Sequence, residues 1–358
     1  MTPYRLSVLA LMALLATGGA FWLSSQRHLE RAVRSGDRLL PQLRGAINDV
    51  TEVSVSRGDG SHVTLQRGAD GWTVAERSYR ADAGKVRKLL LDLAALEIVE
   101  EKTRDPARYA VLGVEDVGAA TATGTRIDVK QGNGAIQSVI VGKTSGSRES
   151  YVRVAAAKPS FLARPQVAAE ANPSRWLDTA LLDLDAARVR AVTLEQAGKP
   201  ARTLEGATLT AALAGALKGL ALEDLRARPL ETTGNATTSA VPQRARFVTW
   251  EGLAIEVEGR EDGGRRWLAL TATADPGAAR TRPSSAALPD AAPAGATPPG
   301  ATSASTPPAP AAASSPVAAV PADPNVEAGL LARRFDGREF EIPPYRYSAM
   351  FDGATAAP

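Results

Sequence analysis

Residue types that do chemistry are scarce in this 358-residue chain and thinly spread. Cysteine is absent, which removes thiolate nucleophiles, disulfides, iron–sulfur clusters and Cys-type zinc sites. Only two histidines occur, His28 beside an N-terminal apolar run and His62 in a strand-like alternation, and neither has a histidine neighbour with which to share a metal. Asp183 and Asp185 alternate with Leu182 and Leu184, so both carboxylates lie on one face of an extended segment. That pair suits acid–base chemistry or cation binding, but a solvent-facing edge is the simpler reading. Gly142-Lys143-Thr144 mimics the end of a phosphate-binding loop, yet the place of its first glycine is held by Gln137, and strand patterns flank it. Gly132-Asn133-Gly134 lacks the third glycine of a dinucleotide fingerprint, and no Gly-x-Ser-x-Gly elbow occurs. The sequence therefore predicts no catalytic, cofactor-binding or metal-binding residues.

Composition narrows the classes further. Forty-two Lys and Arg against 39 Asp and Glu leave a net charge of +3, too little to argue for nucleic acid. Trp72, Trp176, Trp250 and Trp267 are not interleaved with a basic patch, and they read as packing or interface anchors. A hydrophobic fraction of 44% excludes both a wholly disordered chain and a polytopic membrane protein.

The elements that must hold these residues begin with a short flank, 1–5, and an 18-residue run without charge, Leu6 to Leu23. As a helix the run spans about 27 Å, close to the hydrocarbon core of a bilayer. It reads as a signal anchor contacting lipid through 6–23. A cleaved signal cut near Gly18-Gly19-Ala20 is the alternative, although the run is long for one. Phe21 and Trp22 suit the interfacial belt. Arg5 favours an inside N-terminus, whereas Arg27, Arg31, Arg34 and Arg38 oppose it; a short flank before a long body reads best with the body exported. Residues 24–45 form an Arg-rich juxtamembrane segment whose arginines, Arg27 and Arg31 included, either face solvent or touch anionic headgroups.

From Ile47 the apolar period becomes two. Residues 46–104 predict three short antiparallel strands and then a helix whose Val86, Leu89, Leu90, Leu93 and Leu96 share one face, with Asp82 as N-cap. Residues 105–175 predict a bridging β region, with strands at 125–130, 135–142, 151–154 and 160–163. Residues 176–275 restart the pattern: Val189, Val192 and Leu194 match Val50, Val53 and Val55 at an offset of 139, and a predicted helix over 209–220 matches the first at an offset of 124. The second copy lacks the third strand. A hairpin from 247–258 and 265–272 turns at Asp262-Gly263-Gly264.

Residues 276–325 change character, with 29 of 50 being Ala or Pro, which predicts a disordered tether. Residues 326–358 then place Phe335, Phe340, Tyr345, Tyr347 and Phe351 within 17 positions, and Arg338–Ile342 alternates as a strand. This tail is expected to fold back on the second unit; the alternative is a linear motif for a partner.

Taken in order, Ile47–Val53, Asp70-Gly71-Trp72, the helix over 83–99, Asp105–Asp116 with Tyr109 and Gly113, Val141-Gly142-Lys143, Tyr151-Val152-Arg153, Trp176–Leu184 and Phe340–Pro343 resemble the bacterial domain-of-unknown-function family numbered 4340. The resemblance covers about 24–275 plus the tail. It implies a membrane-anchored envelope protein whose genes tend to lie beside ABC-type exporter components, and it brings no catalytic residues. The expected fold is α+β, with two related β-meander-plus-helix units and a bridging β region behind one transmembrane helix. The expected role is an accessory or binding protein of the bacterial inner membrane with its body in the periplasm, no cofactor, and ABC-type transporter subunits as partners. A cell-wall-contacting structural protein is the alternative, followed by a metal-independent hydrolase.

Overall fold

The computed structural model describes residues 35–196, 198–229, 242–281 and 323–351. The predicted anchor at 6–23, with Phe21, Trp22, Arg27 and Arg31, lies outside them, as does most of the Ala/Pro stretch. Among the described residues, no helix is long and apolar enough to cross a membrane. The chain is α+β, mostly antiparallel sheet with few helices, and divides into two compact units at Thr179/Ala180.

Unit 1 is built on nine strands: β1 (Val50–Arg57), β2 (His62–Gly68), β3 (Gly71–Val74), β4 (Tyr79–Arg80), β5 (Glu97–Thr103), β6 (Thr125–Gln131), β7 (Ile136–Ser145), β8 (Glu149–Val154) and β9 (Ser160–Arg164). Their order is β4-β3-β2-β1-β6-β7-β8-β9-β5 with every pair antiparallel. Period-two alternation buries Val53, Val55, Ile127, Val129, Val139 and Val152. Ahead of the sheet stands the short α1 (Pro41–Gly45), which buries Leu43. The longer α2 (Ala83–Ala95) buries Val86, Leu89, Leu90 and Leu93, and the Asp82 carboxylate accepts Lys85 N–H at 3.1 Å, closing its first turn. The strands predicted as a bridging region are thus not separate: β6 pairs with β1, and β9 with β5, so all belong to one sheet.

Both edges of that sheet are covered. Residues 36–39 bond to β5, with Leu39 N–H donating to Leu96 O (2.9 Å) and Ile98 N–H to Asp37 O (2.8 Å). At the other edge Asp178 N–H donates to Arg80 O (3.0 Å), and the Arg80–Asp178 ion pair at 2.8 Å reinforces it.

Unit 2 has a small two-stranded sheet, β10 (Ala180–Leu182) with β13 (Leu220–Ala221). Its main sheet contains β11 (Val189–Glu195), β12 (Arg202–Glu205), β14 (Asp224–Ala227), β15 (Gln243–Thr249), β16 (Leu253–Asp262), β17 (Arg265–Ala274) and β18 (Arg338–Ile342) in the order β12-β11-β15-β16-β17-β18-β14. Helices α3 (Tyr109–Leu112) in unit 1 and α4 (Ala211–Ala214), α5 (Pro324–Phe335) and α6 (Pro344–Phe351) in unit 2 complete the inventory of described α-helices.

The internal repeat is visible in register. Val53↔Leu65 recurs as Val192↔Leu204, Thr125↔Val141 as Gln243↔Gly259, and the irregularity at Val50/Glu52 as one at Val189/Ala191. Seven strands correspond one to one. What unit 2 lacks, among the described residues, is the pair β3 and β4, not the third strand alone. Three expected elements differ. The helix over 209–220 shrinks to α4, because Gly215 follows it and Gly219 takes a positive φ of 56°. The strand over 247–258 is split by a turn at Gly252 (φ 91°) into β15 and β16. The start of the tail is helical, with Asp323 capping α5.

Candidate functional site

The few chemistry-bearing residues are occupied with backbone geometry. Asp183 Oδ1 accepts Gly219 N–H at 2.8 Å. Asp185 Oδ1 accepts Ala187 N–H at 2.8 Å and so caps the 3₁₀ turn Ala186–Arg188, while its other oxygen stands 3.4 Å from Lys218. His62 is exposed, with its Nε2 3.9 Å from Glu76. Among the described residues no group of three or more His, Cys, Asp or Glu is placed to hold a metal ion. Gly142, the phosphate-loop mimic, sits in β7, where a Cβ would overlap the Leu112 carbonyl oxygen; Lys143 Nζ donates to Val111 O at 2.9 Å.

The aromatic anchors divide. Trp176 is buried and donates Nε1–H to Glu170 O at 2.7 Å, while Trp72 is half-buried on β3. Phe335, Phe340 and Tyr347 are buried in unit 2: Phe335 meets Phe340 edge-on at 6.1 Å, and Tyr347 lies 4.7 Å from Phe351. Tyr345 is 68% exposed. The tail lodges β18 between β17 and β14, and Gly259 lets Tyr347 and Phe351 approach β16, since a Cβ there would meet them at 2.5–2.7 Å.

Residues that the sequence showed only as separate motifs converge on Arg153. Its buried guanidinium donates to the carbonyls of Val114 (2.8 Å), Ala155 (2.9 Å) and Ala157 (3.1 Å) and to Asp116 Oδ1 (2.5 Å). It also stacks 4.7 Å from the Tyr109 ring, whose hydroxyl donates to Lys158 O. Gly113, at φ 72°, turns the chain between these partners. This knot fastens α3 and its following loop to β7 and β8. Arg153 shares the β8 face of Glu149 and Tyr151, opposite the buried Ser150 and Val152, and a charged residue on that face carries no sign of burial in the sequence.

Unit 2 has a charged counterpart. Glu339, 1% exposed on β18, faces Arg226 at 2.9 Å and Arg260 at 4.0 Å. Glu258 faces Arg260 (2.7 Å), Arg228 (2.9 Å) and Arg244 (3.8 Å). Burial works to raise its carboxyl, but the Arg260 hydrogen bond and the three positive charges outweigh it and hold the group below the ordinary 4.5. Burial, aided by Glu223 and Asp224, raises Glu341 against the pull of Arg265. A cleft of about 530 Å³ lies among Arg228, Arg244, Arg246, Glu195, Glu256 and Glu258, where the charges balance.

An apolar groove lies in unit 1. It has a volume of about 860 Å³ and lies between residues 37–42 and the ends of β7, β8 and β9. Leu40, Ile98, Val154 and Phe161 line it, with Ile136 at its rim. Gln137 also lines it, and its Nε2 is buried with no hydrogen-bond partner among the described residues.

The family model described as a domain of unknown function (DUF4340) matches residues 72–241. The chain carries a domain of this family. The DUF4340 match spans the last two strands at one end of the unit 1 sheet and runs to the segment ahead of β15, so it crosses the boundary between the units. No curated protein and no solved structure matches the chain.

Proposed function

We propose that this DUF4340 protein is a membrane-anchored accessory or binding subunit of a bacterial envelope complex, with residues 6–23 as an uncleaved anchor, the two units in the periplasm and ABC-type exporter subunits as partners. The observation that carries the reading is the 18-residue run free of charge, followed after a short Arg-rich segment by residues that build a folded unit. Further support comes from the use of Asp183, Asp185 and Gly142 in backbone caps and close approaches rather than in an open reactive site. The family resemblance supplies the exporter association. Crosslinking in intact membranes, followed by mass spectrometry, tests it. Capture of a permease or nucleotide-binding subunit, with export lost on deletion of the gene, is the expected result. Complete release of the protein by alkaline carbonate, or unchanged export after deletion, overturns it.

A further inference from the structure

We propose that the apolar groove of unit 1, together with a basic hollow beside it, binds one anionic phospholipid. The inference rests on the reading of 6–23 as a membrane anchor for the source of the ligand, though not for its chemistry. Two features of the surface define that chemistry.

The groove, about 860 Å³, falls within the size of sites that enclose a single small ligand. Its floor is Leu40, Ile98, Val154 and Phe161, and Ile136 remains 61% exposed at the rim, an apolar residue left for an occupant to cover.

The hollow, about 730 Å³, is lined by Arg38, Arg148 and Arg164 against the single carboxylate of Glu97. Arg38 lines both cavities. Glu97 is shared by Arg38 (3.4 Å) and Arg164 (3.7 Å), and Arg148 has no ion-pair partner among the described residues. Among the described residues the hollow therefore holds three arginines against one glutamate, while the Asp37 and Arg126 charges that line the adjoining groove offset each other; a positive hollow beside a mainly apolar groove is the pattern that a phosphate headgroup and its acyl chain complement.

The position in the chain agrees. Residue 37, at the groove wall, is 14 residues past the end of the apolar run, so a fully extended connection could reach at most about 50 Å. The unit 2 cleft has no such pattern, because its three arginines are matched by three glutamates.

The test uses the full-length protein in neutral detergent micelles containing phosphatidylglycerol or phosphatidylcholine with a photoactivatable acyl chain, with labelled peptides mapped by mass spectrometry. The expected result is labelling of peptides covering 39–41 and 154–161, at least about fivefold stronger with phosphatidylglycerol. The double variant Arg148→Glu/Arg164→Glu is expected to abolish that preference, and Ile136→Glu to reduce labelling by both lipids. All three positions are at the surface, and an unchanged melting curve shows that the fold is kept. Labelling confined to 6–23, equal labelling by the two lipids, or a preference that survives the double variant overturns the proposal. Carbonate extraction of cell membranes tests the anchor separately, so a protein that stays in the membrane but leaves its groove unlabelled refutes the lipid site alone.

Discussion

Units 1 and 2 share seven strands in one order but complete their sheets with different parts of the chain. In unit 1 the hairpin from β8 to β9 is closed by residues 155–159, and β3 and β4 extend the far edge. In unit 2 the equivalent connection, β17 to β18, runs from 275 to 337 and takes in the Ala/Pro-rich stretch, while no described strand lies beyond β12. That edge is blunted locally: the Thr208 hydroxyl accepts Glu205 N–H (2.9 Å) and donates to Glu205 O (2.8 Å), an arrangement echoed in unit 1, where Thr73 Oγ1 donates to Gln66 O. A repeat can thus lose two strands and gain a long insertion without altering the pairing of the strands it keeps. Register depends on cross-strand burial and not on the length of the connection.

Unit 2 depends on its last strand. β14 pairs only with β18, so deletion of residues 323–358 removes one strand and strands another. Hydrogen exchange is expected to show loss of protection over β14 and β17, with β1 and β6 of unit 1 unchanged; equal loss in both units would show that the two sheets do not unfold independently. Phe340→Ala, at a site with no exposure, is expected to cost about 3–5 kcal/mol in denaturant unfolding of unit 2.

The two glycine contacts differ in kind. Gly142→Ala drives a methyl group into backbone, whereas Gly259→Ala meets aromatic rings that can shift. The first is expected to cost about 3 kcal/mol and the second roughly half as much, measured by thermal unfolding. The electrostatic knots differ as well. Arg153→Ala leaves three carbonyls of unit 1 without their donor and is expected to cost about 3 kcal/mol at any pH from 5 to 8.

Unit 2 instead has an acid-sensitive cluster. The folded pKa of Glu258 lies below 4.5, so its contribution is present above that value and is lost as pH falls through the folded pKa. The raised pKa of Glu341 acts in the opposite sense, because its protonation becomes favourable at a higher pH in the folded state. Glu258→Gln is therefore expected to flatten the acid limb of unit 2 stability, leaving that of unit 1 untouched. The smallest effect is at the helix caps: Asp82→Ala, ahead of the 13-residue α2, and Thr210→Ala, ahead of the four-residue α4, are each expected to cost about 1 kcal/mol. A much larger loss for Thr210 would show that α4 does more for unit 2 than its length suggests.

Local rules carried much of the fold. The alternation at Val50–Val55 and Val63–Leu65, the Asp82 cap and the offset of 139 were legible because each depends on residues close in sequence. Apolar spacing alone predicts a helix over 209–220, but the conformational freedom of Gly215 and Gly219 ends it early. The strands of 105–175 belong to the first sheet although their sequence suggests a separate region, because alternation states that a strand exists and not which strand it pairs with. Of the candidate residues, Asp183 and Asp185 were legible as exposed alternating carboxylates, but their bonds to Gly219 and Ala187 depend on where a turn returns.

By itself the sequence determined the absence of thiol chemistry, the charge-free run at 6–23, the α+β character and the existence of a repeat, since composition and short-range periodicity suffice for each. Tertiary structure alone decided that β6–β9 close the first sheet, that β18 slots between β17 and β14, that Arg153 is buried among carbonyls, and that Arg38, Arg148 and Arg164 gather around one glutamate. These depend on contacts between residues dozens of positions apart, fixed by sheet register and mutual burial, for which no local pattern in the chain is a sufficient cause.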